Sequence, residues 1–319
     1  MMLPKKTLTT IAASSAAGRR MLSGLTSSSA RRRLQMFQEE KARQEGERKA
    51  TLGKIVVSTV NAEGNPVELL MNKNLSTGYD CAKQISHFCA QNSALCVRNN
   101  VEVIGMNEVL KEECDIDFLD FVKPRLSNEV NDAYWRSCSL TLGAVVQSSF
   151  RNEVTPGVSV LPDVKSGRFL FDANIKGLKN WEATPEDLKI LTKRVRSAIV
   201  EPQYKFDLLR VPVQFAEELL GSERIAAEPK LDIDDAGDIA LYCVGGHVDI
   251  TNGPCIPTTG LIGKFEVAAI EQIGDETYRF KGVSLPRVQQ ASSYTWNILV
   301  NTAAGRKSEV EASKRVATA

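Results

Sequence analysis

Histidine is nearly missing from this chain: 319 residues contain only His87 and His247. A catalytic or zinc centre built on several imidazoles is therefore excluded, since zinc takes three or four protein ligands. No CxxC pair occurs. Seven cysteines at irregular spacing (Cys81, Cys89, Cys96, Cys114, Cys138, Cys243 and Cys255) make no disulfide framework in a chain of this length. They read as buried free thiols of a reducing compartment. No apolar run approaches the ~20 residues of a membrane-spanning helix, and runs such as Ile55 to Val60 have the length of buried strands. Nucleotide-binding fingerprints are absent as well. Gly245, Gly246 and Gly253 in "VGGHVDITNG" have neither P-loop nor GxGxxG spacing before a helix signal.

Acid is missing from one end. Met1 to Gln38 contain no Asp or Glu, but they hold Lys5, Lys6, Arg19, Arg20, Arg31, Arg32 and Arg33 among many Ser, Thr and Ala. Such a composition marks a mitochondrial presequence, approximately residues 1–33, cut between Arg20 and Arg33. The net charge of +1 hides this asymmetry: residues 1–50 hold 11 basic and 4 acidic side chains, the remainder 29 and 35. A body of that balance does not grip phosphate over its whole surface, so nucleic-acid contact is expected in the arm or in local patches.

What is present divides the rest of the chain. Residues 34–53 read as a basic helical arm with Glu39/Arg43 and Glu45/Lys49 at i,i+4. Arg31, Arg32, Arg33, Lys41, Arg43, Arg48 and Lys49 are its RNA-binding candidates. The alternative for the arm is an ion-paired helix docked on the unit that follows. In residues 54–123, "KIVVSTV", the turn "NAEGNP" and "VELLMNKN" predict a hairpin. Ser76 or Thr77 then caps a helix carrying Ala82, Ile85, Phe88 and Cys89. Strands at residues 94–98, 101–104 and 114–121 complete a β-grasp arrangement. Residues 127–288 form a second unit, with a helix capped by Asn131 or Asp132, strands near 158–160 and 168–173, and a helix opened by Thr184, Pro185 and Asp187. A shorter helix ending at Gly221 and a strand-rich portion from Asp238 to Pro286 follow. Residues 289–319 are a C-terminal extension, expected to be disordered from Asn301. Trp135, Trp181 and Trp296 read as core or interface anchors. The fold class is α+β.

A β-grasp unit followed by "WRSCSLTLG" and later by "YCVGGHV" resembles the TGS and editing domains of threonyl-tRNA synthetase. With "MNKNLST", "AYWRSC" and "GVSLP" in order, the chain resembles the branch of that family carried by the mitochondrial large ribosomal subunit. The likeness covers roughly Leu34 to Ile298. It implies a structural role in mitochondrial translation, with large-subunit rRNA and neighbouring ribosomal proteins as partners. No cofactor, metal, small-molecule substrate or membrane span is implied.

The resemblance also implies a pocket. Its helix should carry His-x-x-x-His, two imidazoles one turn apart, and those positions are Arg136 and Leu140. The opposing Cys-x-x-x-His is carried over onto Cys243 and His247. Hydrolysis of a mischarged aminoacyl ester needs an oriented water with a base or metal to activate it. Arg136 cannot accept a proton and Leu140 cannot bind metal, so the pocket reads as degenerate, with no catalytic residue. Two other functions are kept in view: a free-standing hydrolase of mischarged tRNA, with Cys243 and His247 as a thiolate–imidazole pair, and a regulatory TGS-type module binding RNA or a nucleotide.

Overall fold

The computed structural model describes residues 27–51, 53–122, 126–160 and 163–306, and the fold is a mixed α+β arrangement of three sheets and the helices between them. Met1 to Thr26, with most of the presequence reading, and residues 307–319 lie outside the described residues.

The first helix, α1 (Ser28–Ala50), starts six residues before the expected arm and takes in Arg31, Arg32 and Arg33. Its buried residues are Ala30, Leu34 and Phe37, a stripe spaced by four and three residues on one face. A five-stranded sheet follows, built from β1 (Lys54–Val60), β2 (Pro66–Asn72), β3 (Ser93–Arg98), β4 (Glu102–Gly105) and β5 (Cys114–Asp120), in the order β2-β1-β5-β3-β4. The β1–β2 turn closes as its residues dictate. Asn61 Oδ1 accepts from the backbone of Glu63 and Asn65, and Gly64 takes the left-handed conformation.

Two short helices, α2 (Gly78–Ile85) and α3 (His87–Asn92), cross one face of this sheet. Thr77 and Asp80 form a reciprocal capping box at the start of α2. A single helix through Cys89 was expected. Instead Ser86 is extended, ends α2 and caps α3 through Cys89 N, leaving Phe88 exposed. A residue that can satisfy the next helix's amide with its own hydroxyl makes such a break inexpensive.

The other face of the sheet rests on α4 (Ser127–Ser149), the hub of the molecule. Leu95, Val97 and Leu119 share one core with Val130, Ala133 and Tyr134 of that helix. From Ala133 to Gln147 nearly every residue of α4 is buried, as befits a helix packed on all sides. It begins at Ser127, not after Asn131, because its first turn already packs Val130.

Two more sheets enclose α4. One comprises β6 (Val154–Pro156), β7 (Phe169–Ile175), β11 (Ile262–Gln272) and β12 (Thr277–Pro286), ordered β11-β12-β7-β6. The strand expected near 158–160 lies earlier, at β6, where Val154 and Pro156 can be buried. The other sheet, β10-β9-β8, is made of β8 (Asp207–Val211), β9 (Ile239–Val244) and β10 (His247–Ile250). Helix α5 (Pro185–Arg194) has the Thr184–Asp187 capping box and Pro185 at its first turn, and widens into a π-helical turn at Val195–Val200. Helices α6 (Val213–Leu220) and α7 (Ser222–Ala226) cover the far face of the three-stranded sheet. The last helix, α8 (Ser293–Ala303), is ordered past Asn301, where disorder was expected, because Trp296, Leu299, Val300 and Ala303 pack on Ala268 and Val283.

The docking place of α1 also differs from the alternative drawn for the arm. Ala30, Leu34 and Phe37 join Leu209, Val211, Leu241, Val248 and Ile250 in a separate core on the far face of the three-stranded sheet. Fully burying Leu34 and Phe37 stabilises by about 1.5–3 kcal/mol each.

Candidate functional site

Helix α4 places Arg136 and Leu140 one turn apart, facing the loop that follows β10. The opposite wall comes from the β9–β10 hairpin. Its two-residue turn, Gly245–Gly246, has positive φ at both positions, which pairs Val244 with His247 and Cys243 with Val248. Cross-strand partners share a face and sequence neighbours alternate. His247 and Val244 therefore look toward α4, whereas Cys243 and Val248 look toward α1 and α6. The Cys-x-x-x-His reading fails on geometry: the thiol and the imidazole lie on opposite faces of the sheet and cannot form a pair. Cys243 sits in the apolar α1 core, and burial pushes its thiol up to about 12.

His247 is enclosed by α4 and β7. Its Nδ1 lies 2.7 Å from Gln147 Oε1, which assigns the proton to Nδ1. The ring meets Phe171 edge-on, with centroids 5.9 Å apart. Gly143 is what allows this approach. A Cβ added there would stand 2.7 Å from His247 Nε2 and 2.7 Å from the Phe171 ring. Nε2 is buried with no hydrogen-bond partner among the described residues, and Asp249 Oδ2 is 3.9 Å away. Burial, with Arg33 and Arg224 nearby, pushes the imidazole down to about 3, so it is neutral at physiological pH.

The Arg136 guanidinium lies against the loop. Nε donates to Pro254 O at 3.0 Å, and a Cβ on Gly253 would be 3.0 Å from Arg136 Cζ. Leu140 is buried beside it. Between Arg136, Leu140, Val158 and Thr251 a cavity of about 30 Å³ remains. That volume suits one or two waters, and a second hollow of about 200 Å³ adjoins it past Arg136, Ser139 and Leu170.

Several residues at this place escaped sequence reasoning. Arg224 binds Asp249 at 3.2 Å and Ser159 Oγ at 3.0 Å, and it pairs with Glu228. All three charged groups are buried. Burial raises Asp249 and works against the charge of Arg33, which approaches it from α1. Gln147, Phe171 and the loop Thr251 to Cys255 complete the surroundings. The signal for the loop was the Gly-Gly hairpin, which makes residues beyond Ile250, rather than Cys243, the ones to return toward Arg136. Among the described residues no group of three His, Cys, Asp or Glu side chains is placed to hold a metal ion.

The arm's cations are largely engaged by the protein itself. Lys41 bonds Asp207 at 2.7 Å, and Arg43 lies between Glu40 and Glu47, at 2.6 Å from each. Arg48 bonds Gln44, and Lys49 reaches Glu45 at 3.9 Å. Arg33 is half-buried, while Arg31 and Arg32 are exposed. The tryptophans sit at packing contacts: Trp135 edge-on to Phe169, Trp181 against Phe150 and Tyr278, and Trp296 donating to Glu266.

No protein-family model matches the chain. It is 29% identical over 281 residues to large ribosomal subunit protein mL39 of Drosophila melanogaster, covering 83% of this chain and 80% of that one. It is 25% identical over 229 residues to a probable cytoplasmic threonine–tRNA ligase of Dictyostelium discoideum, covering 70% of this chain and 30% of the ligase. A threonine–tRNA ligase of Caldanaerobacter subterraneus is 22% identical over 227 residues, 68% of this chain and 33% of the ligase. The chain thus spans about a third of the length of these ligases. The chain is thus similar to mL39 along most of both chains and, more distantly, to part of the ligases.

Proposed function

We propose that this protein is a structural component of the mitochondrial large ribosomal subunit, with rRNA and neighbouring mitochondrial ribosomal proteins as its partners. The observation that carries this reading is the relation to mL39 over four-fifths of each chain. The acid-free, basic segment Met1 to Gln38 supports import into the matrix. In this reading residues 54–123 are a TGS-like β-grasp unit, supported by the β1–β2 hairpin, the helices across it and β5 parallel beside β1. Residues 127–288 are the degenerate editing-like unit. Arg136 and Leu140 narrow its cavity to about 30 Å³ beside the β10 loop, which speaks against an aminoacyl ester lying there. Cys243, buried on the far face, offers no nucleophile to that cavity. These two observations disfavour the free-standing hydrolase.

Sedimentation of a mitochondrial lysate through a high-salt gradient tests the reading. The protein should travel with the large subunit and, when purified, should not deacylate mischarged threonine tRNA above the buffer rate. A protein that stays at the top of the gradient and turns over such tRNA would overturn it.

A further inference from the structure

A further group of exposed cations stands away from both the pocket and the arm. It lies in an open cleft of about 720 Å³ between α5, its π-helical end and β11. Lys189, Lys193 and Arg196 follow one another along the helix, and Lys264 faces them from β11. At 1.5 Å of rise per residue the three helix cations stand in a row about 10 Å long. Lys264 also lies 5.6 Å over the ring of Trp296, which floors one end of the cleft. Two carboxylates line the same space, and both are occupied. Glu266 accepts from Trp296 Nε1 at 2.8 Å, and Glu201 lies 3.4 Å from Arg196.

We propose that this cleft is a binding groove for the phosphate backbone of an RNA strand, a surface that rests on the ribosomal reading above and gives it a contact face. Chain from Thr51 onward is net acidic, with 29 basic against 35 acidic side chains. Three cations along one wall and a fourth facing them outnumber Glu201 and Glu266, so the cleft is a local attractor in a net acidic body. The ion pairs of Lys189 with Glu186 and Arg196 with Glu201 are solvent-exposed. Such pairs contribute about 0–1 kcal/mol, so phosphate displaces them readily. A strand backbone fits better than an acidic peptide, because its charges recur along a line, as the helix cations do in steps of four and three residues. The π-helical turn adds to the match. It carries Arg196 onto the cleft wall, and Thr259 Oγ1 satisfies the Ile199 carbonyl behind it.

The test uses the full chain and a transcript of mitochondrial large-subunit rRNA in filter binding over a range of KCl, with poly-L-glutamate as competitor. The triple variant Lys189→Glu, Lys193→Glu, Arg196→Glu should bind at least ten-fold more weakly at low salt. Its plot of log affinity against log salt should be shallower by about 2, because each lost phosphate contact removes about 0.7–0.9 from the slope. Lys189 and Arg196 are 72% and 81% exposed, so thermal melting of the variant should match the parent. Should the variant misfold, lysine acetylation of assembled subunits gives the same answer, since Lys189, Lys193 and Lys264 should be protected there and reactive in the free protein. Unchanged affinity and slope, unprotected lysines, or displacement of the RNA by poly-L-glutamate at equal charge would each overturn the groove. The ribosomal reading is judged separately, by whether the unmodified protein co-sediments with the subunit.

Discussion

The pocket under α4 and the cleft beside α5 are two concavities of one molecule that have gone opposite ways. Under α4 the groups are buried and the space is narrow: about 30 Å³ remain between Arg136 and the β10 loop, and His247 is held neutral. Beside α5 the space is about 720 Å³ and its cations stand in solvent. In the closed region electrostatics serves packing. Arg224 and Asp249 exist as a pair because neither could be buried alone. In the open region the ion pairs are exposed and weak, so the cations can exchange them for a partner. The polar residues of the pocket therefore report stability, and those of the cleft report binding.

Three experiments press on this contrast, from the largest effect to the smallest. The closed side depends on α1, so Phe37→Ala should cost about 3–5 kcal/mol of unfolding free energy in denaturant titration. A loss under 1 kcal/mol would mean that the helix is not part of the stable core. Gly143→Ala should cost about 1–3 kcal/mol, since its Cβ meets His247 and Phe171 at 2.7 Å. Equal or raised stability would show that the pocket can still open. The third effect is a dependence on pH. Unfolded histidine takes up a proton near 6.5, but His247 resists protonation until about 3. Between those values the unfolded state binds more protons, so the His247 contribution is complete above about 6.5 and is lost as pH falls toward 3. Its slope is at most about 1.4 kcal/mol per pH unit. Melting curves of His247→Gln should lack that part of the acid sensitivity, and parallel curves for variant and parent would place the imidazole in solvent.

Much of the local structure was legible because it is written in short-range chemistry. Asn61 and Gly64 specified the first turn, and Thr77 and Thr184 announced two helix starts with a carboxylate three residues on. What sequence spacing misjudged needed a partner distant in the chain. The α1 stripe gives no hint that it belongs to strands around residue 210 and residue 248. Ser86 could have continued a helix or broken it, and only packing on the sheet decides. At the pocket, Arg136 and Leu140 were placed correctly on one face of a helix, a matter of period alone. Cys243 and His247 are joined only by the family's Cys-x-x-x-His, and on a hairpin with a period of two they face opposite ways. The Gly245–Gly246 turn held that information in the sequence.

The docking of α1 has a kinetic consequence. Lys41 and Asp207, which tie the helix to its sheet, are 166 residues apart. A chain that enters the matrix from its N-terminus delivers this helix well before the sheet on which it rests. During that interval Leu34 and Phe37 have no native cover, and closing so long a loop comes late in any folding sequence. The first of the described helices is thus among the last to be secured, and its apolar stripe needs a chaperone's cover until the sheet is in place.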